Sequence, residues 1–206
     1  MAEIGGLRER KKAATRLALH EAALRLATEH GPERVTVEAI ADAAEVSRRT
    51  FSNYFSSKEE ALFHGDTVRL RGMLDLLRDR PADEPPWTAL RRAALHLSAD
   101  VYDDAALAWL TRRRQLHGHP GLVAHQVAAY IAIERELAGE LARRLGGPDD
   151  ALRARLLAAT FLATLRVAVQ HWLEHPDGPL ADTLATALDL AAPAGQTPRP
   201  EASAAR

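Results

Sequence analysis

The chain has 206 residues, 47% of them apolar and 27% charged, which are the proportions of an ordinary soluble globular protein with room for a sizeable core. A formal net charge of -1 excludes a global basic field, so any affinity for nucleic acid must come from local charge placement. The absence of cysteine excludes disulfides, thiolate catalysis and thiolate metal sites, and the N-terminus lacks the apolar run of a secretory signal, so the expected location is the cytoplasm.

The first segment, RERKKAATR, sets Arg8, Arg10, Lys11, Lys12 and Arg16 against one acid, Glu9. It reads either as a basic arm reaching phosphates or the minor groove, or as a solvated terminus. In LHEAALRLATEHGP the residues Leu19, Ala22, Ala23, Leu26 and Ala27 follow helical spacing until Gly31-Pro32 stops them. Thr36 is a good cap for a second helix carrying Val37, Ile40, Ala41 and Ala44. A short turn at Glu45 and Val46 follows, and Ser47 caps a third helix. Ser57 with Glu60 forms a capping box that starts a fourth, longer helix towards Arg80. Gly65 and Gly72 lie inside it, as hinge points or as places of close helix contact.

RPADEPP ends that run, since paired prolines cannot continue a helix. Helical patterns then cover Trp87 to Tyr102, Asp104 to Gln115, Pro120 to Leu145, Asp149 to Trp172 and Gly178 to Leu190, separated by HGHPG, GGPDD and HPDGP. No strand-like alternation or repeat is present. The expected fold class is therefore all-α: an N-terminal three-helix domain at 1–56, a helical bundle at 57–192, and a disordered Pro/Ala tail at 193–206. The most apolar segment, Leu156 to Leu173, reaches membrane-spanning length but is interrupted by Arg166, Gln170 and His171, so it reads as a helix buried on more than one side, with no membrane partner.

The stretch VSRRTFSNYFSSK, Val46 to Lys58, carries three cations and no acid over thirteen residues. Projected on a helix, Phe51 and Phe55 lie one turn apart and pack back onto Ile40 and Leu26. Arg49, Ser52 and Asn53 share the opposite face, flanked by Arg48, Thr50 and Tyr54. A short helix, a tight turn and an acid-free helix make the helix-turn-helix layout, in which the last helix enters the major groove. Arg to guanine and Asn to adenine are its side-chain choices for reading sequence, and a carboxylate there would face phosphate.

TVEAIADAAEVSRRTFSNYFSSKEEAL, Thr36 to Leu62, resembles the DNA-binding region of the TetR family of bacterial transcriptional regulators, and EAALRLATEHG resembles that family's first helix. The resemblance implies phosphate contacts from Thr36, Ser47, Thr50, Tyr54 and Lys58, and base-edge contacts from Arg48, Arg49 and Asn53. Ser52 stands where the family usually has a phosphate-contacting Tyr, so its contact is shorter-reaching or lost. Glu45 replaces the usual turn Gly, at about 1 kcal/mol if that position needs positive φ. Glu38, in the first turn of the second helix, suits the helix dipole but not a DNA-facing surface.

The resemblance further implies a repressor acting on a palindromic double-stranded operator and released by a small-molecule effector, with no cofactor. It implies a homodimer through the helices near 149–174 and 178–191, to which Leu180, Leu184, Leu188 and Ala191 bring an apolar stripe. It also implies an effector pocket, for which Trp109, Arg113, Tyr130, Phe161, Thr164 and Arg166 are candidates, the aromatics otherwise being plain core. Arg166, read as buried, needs an acid across the dimer or an anionic ligand. Arg112 to Arg114 form a solvated helix end or an anion-contacting portal. His171 and His175, with His117 and His119, keep a metal-responsive alternative open, though no clustered third ligand is evident and no metal is expected. An enzyme is disfavoured by the lack of Glu-x-x-His, His-Glu-x-x-His, Gly-x-Ser-x-Gly and phosphate-loop motifs.

Overall fold

The computed structural model describes residues 2–99, 116, 119–147 and 150–194. Among them are nine helices and no strand. They are α1 (Ala2–His30), α2 (Val37–Ala43), α3 (Arg48–Ser52), α4 (Lys58–Leu62), α5 (His64–Arg78), α6 (Pro86–Ala99), α7 (Pro120–Leu145), α8 (Asp150–Glu174) and α9 (Leu180–Leu190). The helix expected at Asp104 to Gln115 and the tail beyond 194 lie outside the described residues. Two compact units emerge, residues 1–68 with 111–129 and residues 69–110 with 130–206. The first runs past the expected boundary at 56, because α4 buries Ala61 and Leu62.

In the first unit the basic segment is part of a helix rather than a loose terminus, since α1 is helical from Ala2 and holds Arg8, Arg10, Lys11 and Lys12 exposed along it. Gly31, at φ 82°, ends α1 in the left-handed conformation that glycine reaches without steric cost. Leu19, Ala22, Ala23 and Ala27 are buried as their spacing predicts, but Leu24 takes the buried place expected for Leu26, which is half-buried. His20 is buried, and its Nδ1 donates to the Ala61 carbonyl at 2.7 Å, tying α1 to α4.

The long helix expected from Ser57 towards Arg80 is two helices. Phe63, with φ -94° and ψ 6°, caps α4, and its ring is buried. Ser57 Oγ does accept from Glu60 N at 3.2 Å. The Glu60 carboxylate, however, binds the amide and hydroxyl of Ser56, both at 2.7 Å, one residue before the cap. Gly72 meets nothing within 4 Å, so it is no site of close helix contact.

The second unit packs around Trp87, Leu90, Leu137, Leu141 and Phe161, all fully buried. Trp87 meets Phe161 edge to face at 6.1 Å, and its indole N–H donates to the Leu188 carbonyl at 3.1 Å. Leu180, Leu184 and Leu188 are buried within this same chain, so the stripe expected to face a partner serves the chain's own core. Arg144, nearly wholly buried, donates to the carbonyls of Leu77, Arg80 and Pro81, closing the C-terminal end of α5. Beside it Glu84, 7% exposed, accepts two bonds from Arg80 at 2.7 and 2.9 Å and one from Arg92 at 2.6 Å. Among the described residues no helix is long and apolar enough to cross a membrane.

The Arg80 hydrogen bonds, and then the charges of Arg80 and Arg92, hold the Glu84 carboxyl below its ordinary 4.5 against the opposing effect of burial. A folded value below the unfolded one means that the contribution is present above pH 4.5 and is lost as pH falls through the folded value. Glu84→Gln should therefore cost about 2 kcal/mol in denaturant unfolding at neutral pH. It should also flatten the loss of stability below pH 4.5; an acid limb as steep as the parent's would assign that loss to other carboxylates.

Candidate nucleic-acid interface

The first unit shapes one exposed face through its caps and turn. Thr36 Oγ1 accepts from Ala39 N at 3.1 Å and fixes the start of α2. At its end the chain reverses through Glu45, whose φ of 54° is the one positive value among described non-glycine residues. Val46 N then donates to Ala41 O at 2.9 Å. The departure from glycine is thus real, and the glutamate backbone carries its cost.

Ser47 Oγ accepts from Thr50 N at 3.0 Å and lies 2.8 Å from Thr50 Oγ1, so both hydroxyls organise the first turn of α3. On one side of α3, Phe51 and Phe55 are buried, with ring centroids 5.8 Å apart. Arg48, Arg49, Ser52 and Asn53 are all exposed, as are Thr36 and Ser47, while Thr50 and Tyr54 are half-buried. Three neighbouring positions thus present the donors that read guanine and adenine edges. Ser52 does not substitute for the missing aromatic; its hydroxyl donates to the Arg48 carbonyl at 3.2 Å, back into its own helix.

Three charged side chains do work that the sequence did not announce. Lys58 was expected at a phosphate, but its Nζ donates to Val35 O at 2.8 Å, Pro32 O at 3.0 Å and Glu33 O at 3.3 Å. An ammonium has three donors, and here all three fasten α4 to the loop before α2. Arg16, four residues before His20 on α1, donates to the Tyr54 carbonyl at 3.4 Å, with its guanidinium 5.9 Å from the Tyr54 ring centroid and 5.8 Å from that of Phe55. That spacing from a buried histidine was the available signal. Glu38 pairs with Arg48 at 3.1 Å, which offsets its misplaced sign.

In the second unit Phe161 is core, and Tyr130 and Thr164 are half-buried, the Thr164 hydroxyl donating to Thr160 O at 2.8 Å. Arg166 is exposed rather than buried, because it projects from the outward side of α8, and so it needs no compensating acid. Trp109, Arg113 and their neighbours Arg112 and Arg114 lie outside the described residues. So does His117, while His119 pairs with Glu33. The His171 and His175 rings stack at 4.9 Å, and among the described residues no group of three or more ligating side chains could hold a metal.

A family model described as bacterial regulatory proteins, tetR family, matches residues 19–64, and one described as the MftR C-terminal domain matches residues 84–195. The chain is 36% identical over 193 residues to the HTH-type transcriptional regulator TcmR of Streptomyces glaucescens, covering 90% of this chain and 84% of that one. It is 30% identical over 189 residues to MftR of Mycobacterium tuberculosis, covering 88% and 91%. Among solved structures, Thermus thermophilus FadR, a TetR family transcriptional repressor in complex with lauroyl-CoA, superposes with a TM-score of 0.55 at 26% identity, over 85% of this chain and 92% of that one. The SmeT–triclosan complex gives 0.56 at 24% identity, over 86% and 90%. NalD of Pseudomonas aeruginosa, a repressor of a multidrug efflux pump, gives 0.58 at 19% identity over 88% and 95%; these last two share the fold.

Two outcomes follow from the local geometry. Lys58→Met should destabilise the fold by about 1 to 3 kcal/mol, yet leave the salt dependence of DNA affinity unchanged. A slope lower by about one would restore Lys58 to the phosphates. Glu45→Gly should stabilise by roughly 1 kcal/mol in denaturant titration by relieving the left-handed backbone, and a loss instead would mean that the glutamate side chain has a compensating role.

Proposed function

The chain belongs to the TetR family of bacterial DNA-binding transcriptional regulators, and from that premise we propose that it is a homodimeric repressor whose two α3 helices read a palindromic operator. The observation that carries the reading is the two-sided character of α3 and the turn that follows it, with Phe51 and Phe55 buried and Arg48, Arg49 and Asn53 exposed. Arg48, Arg49 and Asn53 reach base edges; Thr36, Ser47, Thr50 and Tyr54 meet phosphates, and the exposed Arg8, Lys11 and Lys12 of α1 add backbone attraction. Lys58 belongs to the fold instead. The protein acts where the chromosome is, in the cytoplasm, as a regulator and not as an enzyme.

One reading head covers a half-site, and two must stand about 34 Å apart, or a multiple of it, to follow the helical repeat. The support for a dimer is the outward side of α8, where Leu152, Leu156 and Val167 are 68%, 59% and 54% exposed, with Leu190 of α9 84% exposed. They recur at helical spacing, and a groove of about 380 Å³ between Val167 and Leu190 is shaped to receive a neighbour's side chains. One relative holds lauroyl-CoA and a protein of the same fold holds triclosan, which supports an effector with a sizeable apolar portion. Of the residues proposed to meet it, Tyr130 and Thr164 are half-buried. An effector that prefers one packing of the second unit lowers operator affinity by the difference in its affinity for the two states.

The experiment is selection of binding sites by the full chain from a randomised duplex library. The expected product is an inverted repeat, and Arg49→Ala should flatten one base position in each half at about 1 to 3 kcal/mol. Enrichment of a single unrepeated site would exclude the two-fold reading, and an unaltered preference in Arg49→Ala would remove that residue from base recognition.

A further inference from the structure

Glu38 and Arg48 belong to different helices, α2 and α3, yet their side chains meet as an ion pair, Arg48 Nη1 lying 3.1 Å from Glu38 Oε1. Arg48 is 72% and Glu38 55% exposed, and an ion pair that open contributes little to folding. Beyond what a first-turn acid contributes to the dipole of α2, the pair's stability therefore does not account for a carboxylate beside the helix that must approach a polyanion.

The geometry points to Glu38 as a specificity-determining residue that acts through Arg48. A guanidinium carries five N–H donors in a rigid planar fork. With Nη1 lying beside Glu38, the edge formed by Nε and Nη2 remains for the O6 and N7 acceptors of a single guanine. Arg48 is the first residue of α3, the end of a recognition helix that reaches base edges. Held by the carboxylate, it gives up less rotamer freedom on binding. The same carboxylate repels phosphate on every sequence alike. Only a guanine opposite Arg48 lets the pair stay intact while the free edge makes its bonds, so Glu38 lowers affinity for all DNA and widens the gap between right and wrong sites. The side chains at this corner carry the charges of Glu38, Arg48 and Arg49, with Ser47 and Ser52 uncharged.

This rests on α3 as the reading helix, and the test separates the two. Full-length parent, Glu38→Ala, Glu38→Gln, Arg48→Ala and the Glu38→Ala/Arg48→Ala double variant are taken through the same randomised-duplex selection. Their affinities for the selected duplex and for a scrambled one are then measured at one salt concentration. Arg48→Ala should lose a guanine preference at one position per half-site. Both Glu38 variants should reduce that preference by about 10-fold and bind scrambled duplex about 3-fold more tightly. Glu38→Ala should add nothing to the preference in the Arg48→Ala background. Should Glu38→Ala not fold, the isosteric Glu38→Gln carries the same test. A guanine preference intact in the Glu38 variants but lost in Arg48→Ala overturns the role of Glu38 and leaves α3 as the reader. A preference intact in Arg48→Ala overturns base reading by Arg48 and the inference together.

Discussion

A helix of five residues has no stability of its own, so α3 keeps its exposed polar side in place only because Phe51, and Phe55 three residues past its end, are anchored in the core. Two aromatic side chains left only 1% and 3% exposed contribute several kcal/mol of apolar burial, far more than the Ser47 cap or any surface ion pair on the exposed side. The polar side of α3 is then free to be chosen for chemistry. Arg48, Arg49 and Asn53 give up little if exchanged, as far as folding is concerned, and everything if the partner is a particular base.

Cations in this chain divide by what surrounds them. Arg16 lies against Tyr54 and Phe55, Lys58 is satisfied by three carbonyls, and Arg144 gathers three more at the end of α5. Each closes a gap between elements where backbone acceptors would otherwise be left without donors. Arg48 and Arg49 have no such backbone duty. A count of positive charge along the segment treats these residues alike, whereas their hydrogen-bond partners separate scaffold from surface.

Much of this was legible in order along the chain. Pro120 and Gly146 bracket α7 because one residue type starts helices readily and the other, at φ 75°, ends them. The turn at Glu45 and the cap at Ser47 were equally plain, since each depends on two or three adjacent residues. What escaped was decided at a distance. The break at Phe63 falls two residues before Gly65, one of the two glycines read as hinge points, at a residue whose own ring is buried. The place of Lys58 depends on carbonyls 23 to 26 residues away. Leu24 against Leu26, and the outward turn of Arg166, are rotations of a helix about its axis that a pattern of alanines and leucines leaves poorly fixed.

The inward stripe of α9 bears on how the protein works at cellular copy numbers. Leu180, Leu184 and Leu188 complete the core of a single chain, so the dimer proposed above, through the outer side of α8 and the rim of α9, would come apart without opening that core. If its monomers stay folded, occupancy of a two-fold operator would rise with the square of monomer concentration wherever monomers predominate, and a modest change in the rate of synthesis would become a larger change in control.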